Sequence, residues 1–195
     1  MSADGNVITE VKERGLKFTI SQEYMDKGVK LEQYNDNMNG YHEISLYYYS
    51  PSATKALDTV INMDPDKRTK EVSDEYTQKI WNTSRNIMEI VMLETKEYKK
   101  LVDSETSLDK ITGYSPSEEL GANDGYTYII SIPDLDNGDL NKDEIEEYKQ
   151  CKEYMQTVKE NLSFIPVELE NTDTVIGDSM PTFKIKRNVL RPTAV

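Results

Sequence analysis

Residues 41–49 alternate in a way that restricts the fold more than any other stretch of the chain. Ile44, Leu46 and Tyr48 fall on one side of an extended segment, and Glu43, Ser45, Tyr47 and Tyr49 fall on the other. A period of two marks a half-buried strand, and such a strand leaves backbone donors and acceptors that must find partners. The partners are signalled nearby. Residues 29–34 are β-prone and reach Tyr41 through 35–40, a loop dense in Asn, Asp and Gly. Two more hairpins are expected. One joins 6–11 to 16–20 with Gly15 in the turn, and the other joins 117–120 to 126–132 across 121–125. Between the first two hairpins, Ser21 is placed to cap one helical turn that Gly28 ends.

Helical spacing fills the gaps. Pro51 sits in a helix-starting position, and Ala53, Ala56, Leu57, Val60 and Ile61 follow a helical stripe. A second helix is expected from near Ser73, carrying Tyr76 and Ile80, and another over 96–102. The apolar run 87–93 is short, which favours a buried strand over a helix end. The clearest helix is 142–162, where Ile145, Tyr148, Cys151, Met155, Val158 and Leu162 form one stripe. Asp139 and Asp143 stand near its start, where the helix dipole favours negative charge. From Phe164 onward no periodicity is left. These signals together predict an α+β protein, an antiparallel sheet of hairpins covered by helices. The domain is expected over 1–163, followed by a connecting arm over 164–195.

The chemistry open to such a chain is narrowed by its charge. A formal net charge of -13 at pH 7 repels polyphosphate, so nucleic acid is excluded as a partner, and anionic membrane surfaces are disfavoured. No apolar run approaches the roughly 20 residues of a membrane-spanning helix. The first residues carry neither a basic nor an apolar leader region. That fits either a cytoplasmic protein or a mature segment whose export signal has been removed. Thirteen Tyr stand against three Phe and one Trp, a balance suited to broad, partly wet sheet faces. Tyr41, Tyr47 and Tyr49 are therefore candidates for a partner-facing aromatic surface. A tyrosine-rich sheet packed under helices accounts for the same residues.

Three candidate chemistries follow from particular residues. Cys151 is the single cysteine, so there is no intrachain disulfide, no Cys-x-x-Cys site and no multi-cysteine metal site. Its place on the apolar stripe reads as a buried structural thiol, and His42, the single histidine, reads as a surface imidazole. The third candidate is the acidic stretch 134–144, which resembles a calcium loop one residue short. Asp134, Asp136, Asn137, Asn141 and Glu144 would be its ligands, with Gly138 making the turn. The loop is preceded by a strand rather than a helix, and a solvated turn that caps the long helix explains the same residues through dipole and capping physics. No other cofactor is indicated, because the nine glycines form no phosphate-binding loop.

Residues 175–184, with Gly177, Asp178, Pro181 and Phe183, resemble the opening of a TlpA-type thioredoxin-like (redoxin) domain. The segment ahead resembles the N-terminal domain of clostridial extracytoplasmic redoxins. It shares the Gly15-Leu-Lys-Phe-Thr-Ile opening, the Ile44-Ser-Leu-Tyr-Tyr-Tyr strand and the late Asp124-Gly-Tyr-Thr-Tyr-Ile-Ile strand. The same features resemble a Mog1/PsbP-like α+β sandwich. The resemblance implies a non-catalytic accessory or docking domain with a protein partner, located in the cell envelope of a Gram-positive bacterium. The family's Cys-x-x-Cys helix is absent from the sequence, which after Lys186 departs from the redoxin pattern. No catalytic residue is therefore carried over. The departure is read as a truncated or frameshifted redoxin start.

Overall fold

The computed structural model describes residues 5–36 and 41–168. The redoxin-like opening at 175–184, the loop at 37–40 and the rest of the arm beyond Glu168 lie outside these residues. Strands β1 (Asn6–Val11) and β2 (Leu16–Ser21) form the first hairpin, joined by a 3-10 turn whose last position is Gly15 in the left-handed region. A single turn of helix α1 (Gln22–Asp26) leads into β3 (Val29–Asp36), which pairs with β4 (Tyr41–Tyr49). Helices α2 (Pro51–Ile61) and α3 (Lys70–Thr83) connect β4 to β5 (Ser84–Glu94). Then follow α4 (Thr95–Asp103), α5 (Leu108–Thr112), β6 (Ser117–Asn123), β7 (Tyr126–Ser131), the long α6 (Lys142–Glu160) and β8 (Ser163–Phe164).

The α+β class is therefore what the alternating patterns predicted, and 87–93 is indeed strand. One expectation needs correction. The hairpins do not share one sheet. A five-stranded antiparallel sheet runs β3-β4-β5-β7-β6, and the first hairpin stands apart in a three-stranded sheet, β1-β2-β8. The reason is non-local. Residues 163–164, read from sequence as the end of the domain and the start of an arm, return to pair with Lys17 and Leu16. The third hairpin is also tighter than predicted. Its strands extend through Asn123, and the turn is Asp124-Gly125, both with positive φ, the backbone of the two-residue turns that suit a hairpin's twist.

The core lies between the two sheets. Ile44, Leu46 and Tyr48 of β4, Met88, Ile90 and Met92 of β5, and Tyr128 and Ile130 of β7 face inward. They meet Leu16, Phe18 and Ile20 of the small sheet and the α6 stripe of Tyr148, Cys151, Met155 and Val158. On the opposite face of the large sheet, Val91, Leu93 and Ile129 are covered by Ile111 of α5 and by Tyr98 and Leu101 of α4. Local chemistry fixes the helix starts. Ser50 caps α2 by accepting from the Ala53 amide with Pro51 in the first turn, and Thr69 caps α3 by accepting from Val72.

Gly28 holds the joint between α1 and the large sheet. Its φ is +97°, its amide donates to Met25 O at 3.0 Å, and its carbonyl accepts from the Tyr49 amide at 2.9 Å. A Cβ there would collide with the Tyr49 carbonyl, a backbone atom that cannot swing away. Gly28→Ala is therefore expected to cost at least about 2 kcal/mol through left-handed strain and the collision together. A urea melt with an unchanged slope and a lower midpoint is the expected result.

Candidate functional site

An open cleft of about 590 Å³ lies where the α1–β3 turn, the end of β4, α2 and α6 meet. Two cations, Lys27 and Lys55, line it with three acids, Asp26, Asp58 and Glu147, and with the ring of Tyr49. Each wall is tied down. Glu147 accepts from the buried Tyr48 hydroxyl at 2.6 Å, and burial followed by that carboxylate pushes the Tyr48 phenol well above its ordinary pKa. Lys27 pairs with Glu23 at 2.7 Å and lies 4.9 Å from the Tyr24 ring centre. Tyr24 in turn stacks on Tyr154 at 3.8 Å, and the Tyr154 hydroxyl accepts from the Ser21 amide at 2.8 Å. Tyr49 donates to Glu32 and is covered by Lys30 at 4.7 Å. The result is a fixed, mixed-charge and amphipathic surface.

The three candidate tyrosines lie along one side of β4 but at different depths. Tyr49 reaches the cleft, Tyr47 is buried, and Tyr41 packs against the α4–α5 cluster while donating to Glu43 and to Ile111 O. The Tyr47 and Tyr49 rings meet edge-on with centroids 6.2 Å apart, and Tyr41 stands with the α4–α5 cluster instead. His42 is half-buried rather than fully at the surface. Cys151 is fully buried, as expected from the stripe, and burial first, then Glu147, raises its thiol pKa to about 12.

Three of the five residues proposed as calcium ligands, Asp136, Asn141 and Glu144, have side-chain partners within the fold. Asn141 caps α6 by accepting from the amides of Asp143 and Glu144. Glu144 reaches back to the Asn141 amide at 3.0 Å and also accepts from the Ser52 amide at 2.9 Å, so one carboxylate serves the starts of α6 and α2. Asp136 takes the Gly138 amide at 3.1 Å in a local turn. The interior of the 134–141 loop is filled by Arg85, which donates to the carbonyls of Asp136 and Asn82 at 2.7 and 2.9 Å. Asp134 and Asn137 are exposed. Among the described residues no group of three or more His, Cys, Asp and Glu side chains is placed to hold a metal ion. The capping account, one of the two readings open at the sequence level, is thus the one with partners in place.

A buried polar band on the outer face of the large sheet has no counterpart in the sequence reading. Glu89 is fully buried in β5, accepting from Ser45 Oγ at 2.7 Å and Asn86 Nδ2 at 2.6 Å. Glu43 and Ser131 are buried on the same face. The available signal was the acid itself, since Glu89 interrupts the otherwise apolar run 87–93. An interior carboxylate persists only where donors meet it.

Comparison with family models, with curated proteins and with solved structures finds no match for this chain.

The Glu144 carboxylate supplies a direct test of the helix-start account. Burial raises its pKa, but the Ser52 and Asn141 donors outweigh burial and hold it below the ordinary carboxylate value. A lowered folded pKa gives stability that is complete above the unfolded value and is lost as pH falls through the folded one. Glu144→Ala is expected to lower stability at neutral pH by about 2 kcal/mol, the loss of two charge-assisted hydrogen bonds. The gap to the native chain should then narrow on acidification below about pH 4.5, as read by denaturant melts across pH.

Proposed function

We propose that this chain is a non-catalytic accessory domain of a bacterial cell-envelope thioredoxin-like protein, and that it docks a protein partner. The observation that carries the reading is the state of Cys151. It is sealed in the core with its thiol pKa raised to about 12, so it is not a thiolate available for exchange. A self-contained α+β body then stands ahead of a redoxin-like opening at 175–184. Thiol chemistry in such a protein belongs to a different segment, and the cleft at Lys27, Tyr49 and Lys55 offers the docking face. Its mixed charges and tyrosine fit the polar, aromatic-bearing character of transient protein interfaces. An extracytoplasmic location in a Gram-positive bacterium follows from the same resemblance. Among the described residues no helix is long and apolar enough to cross a membrane.

One feature of the architecture favours a second reading. The five-stranded antiparallel sheet has α6 on one face and α4–α5 on the other. That layering suits a stand-alone binding protein with a Mog1/PsbP-like sandwich. The encoding DNA, read beyond codon 195 in all three frames, separates the two. A downstream thioredoxin-like segment with a Cys-x-x-Cys pair is the expected result. A natural stop followed by nothing thiol-like would leave the stand-alone binding protein as the better account.

A further inference from the structure

Tyrosine rings meet in three pairs among the described residues, and the pairs differ in the chemistry they allow. Tyr48 and Tyr148 stack at 5.9 Å between centres, but both are fully buried and the Tyr48 hydroxyl is tied to Glu147. Tyr47 and Tyr49 meet edge-on with their planes 67° apart, and Tyr47 is buried. Tyr24 and Tyr154 are different. Their ring centres are 3.8 Å apart, their planes differ by only 3°, and both residues are half-buried, so solvent reaches each of them.

Two phenol rings seldom stack fully face to face, because their electron-rich faces repel. Here the fold holds them so. The Lys27 ammonium lies 4.9 Å from the Tyr24 ring centre and draws on its electron density. Lys27 is itself fixed by Glu23 at 2.7 Å and by Gln150 of α6 at 3.4 Å. On the other ring, the Tyr154 hydroxyl accepts from the Ser21 amide at 2.8 Å, a bond between residues 133 positions apart. That bond uses the oxygen of Tyr154 and not its proton. Among the described residues neither the Tyr24 nor the Tyr154 hydroxyl donates to another group of the protein, so both phenol protons can pass to water.

We propose that Tyr24 and Tyr154 form an oxidative coupling site, at which a one-electron oxidant fed by hydrogen peroxide joins the two rings through a carbon–carbon bond. Each phenol gives one electron to the oxidant and its hydroxyl proton to water. A bond then forms between one carbon of each ring, ortho to the oxygen. The hydrogens on those two carbons move to the oxygens, which restores both phenols. One hydrogen peroxide takes up the two electrons and two protons and leaves as two waters. The stack supplies the close approach that a freely diffusing pair of phenols would have to find. The product staples α1 to α6. It would thereby fix Lys27 beside Glu147, two residues that line the cleft from those elements. The inference does not depend on the docking role.

The full 195-residue chain, kept dilute and treated with a haem peroxidase and hydrogen peroxide, tests the proposal. Dityrosine is read by its fluorescence, and the coupled positions by mass spectrometry of the digested monomer. The expected product is a monomer in which the Tyr24 and Tyr154 peptides are joined, two hydrogens lighter than their sum. Tyr24→Phe keeps the ring and the bond from the Ser21 amide to Tyr154. It is expected to lower the dityrosine of the monomer at least about tenfold, because it removes a phenol held at high effective concentration. Tyr154→Phe should do the same. The joined peptide in the native chain decides the site by itself, whatever the variants do to stability. Its absence would overturn the proposal. Monomer dityrosine that survives Tyr24→Phe would also overturn it, as would coupling found only between molecules through the exposed Tyr34.

Discussion

The seating of α6 is the interaction on which the rest of the structure depends. Tyr148, Cys151, Met155 and Val158 form one continuous stripe, and all four are buried between the two sheets. Leu16, Phe18 and Ile20 of the small sheet, the inner face of the large sheet and this stripe belong to one core cluster. Tyr48 and Tyr148 carry the contact at 5.9 Å between ring centres, and each keeps its hydroxyl bonded, to Glu147 and to the Asp136 amide. Tyrosine suits this position because the ring adds apolar area while the polar tip reaches a partner.

The start of α6 is equally constrained. Glu144 holds the first turn of its own helix and the first turn of α2 at once, so the two helices that border the cleft begin from one carboxylate. The cleft inherits its rigidity from that arrangement. Glu147 stands one turn further along α6, and Lys55 and Asp58 stand on α2. The loop ahead of α6 closes over the Arg85 guanidinium, and Gly138, at φ +46°, leaves room that a Cβ would take. Of the acids in 134–144, Glu144 serves two helix starts, Asp136 closes a local turn and Asp139 accepts from Asn82, while Arg85 is held by backbone carbonyls.

The elements that the sequence made legible are those whose signal is local. Period-two alternation at 41–49 and the six-residue stripe on 142–162 each needed only neighbours in the chain. The five-residue helix α5 was too short to show a period. Gly121 looked like part of a turn, yet its φ of +142° serves close approach of the Phe164 ring to β6. Strand β8, and with it the split into two sheets, depends on a return across almost 150 positions that no local pattern encodes. The cleft was illegible for the same reason, since four separate elements build it. Glu89 was readable in principle as an acid inside an apolar run, but its donors Ser45 and Asn86 come into place only through the β4–β5 register.

On the proposed reading this body docks a partner and leaves thiol chemistry to another segment, and its single cysteine, Cys151, is buried and structural. Turnover of a disulfide substrate such as insulin by the purified chain with dithiothreitol tests this most directly. The account predicts a rate equal to dithiothreitol alone, in the native chain and in Cys151→Ala. A rate above that background which Cys151→Ala abolishes would contradict it.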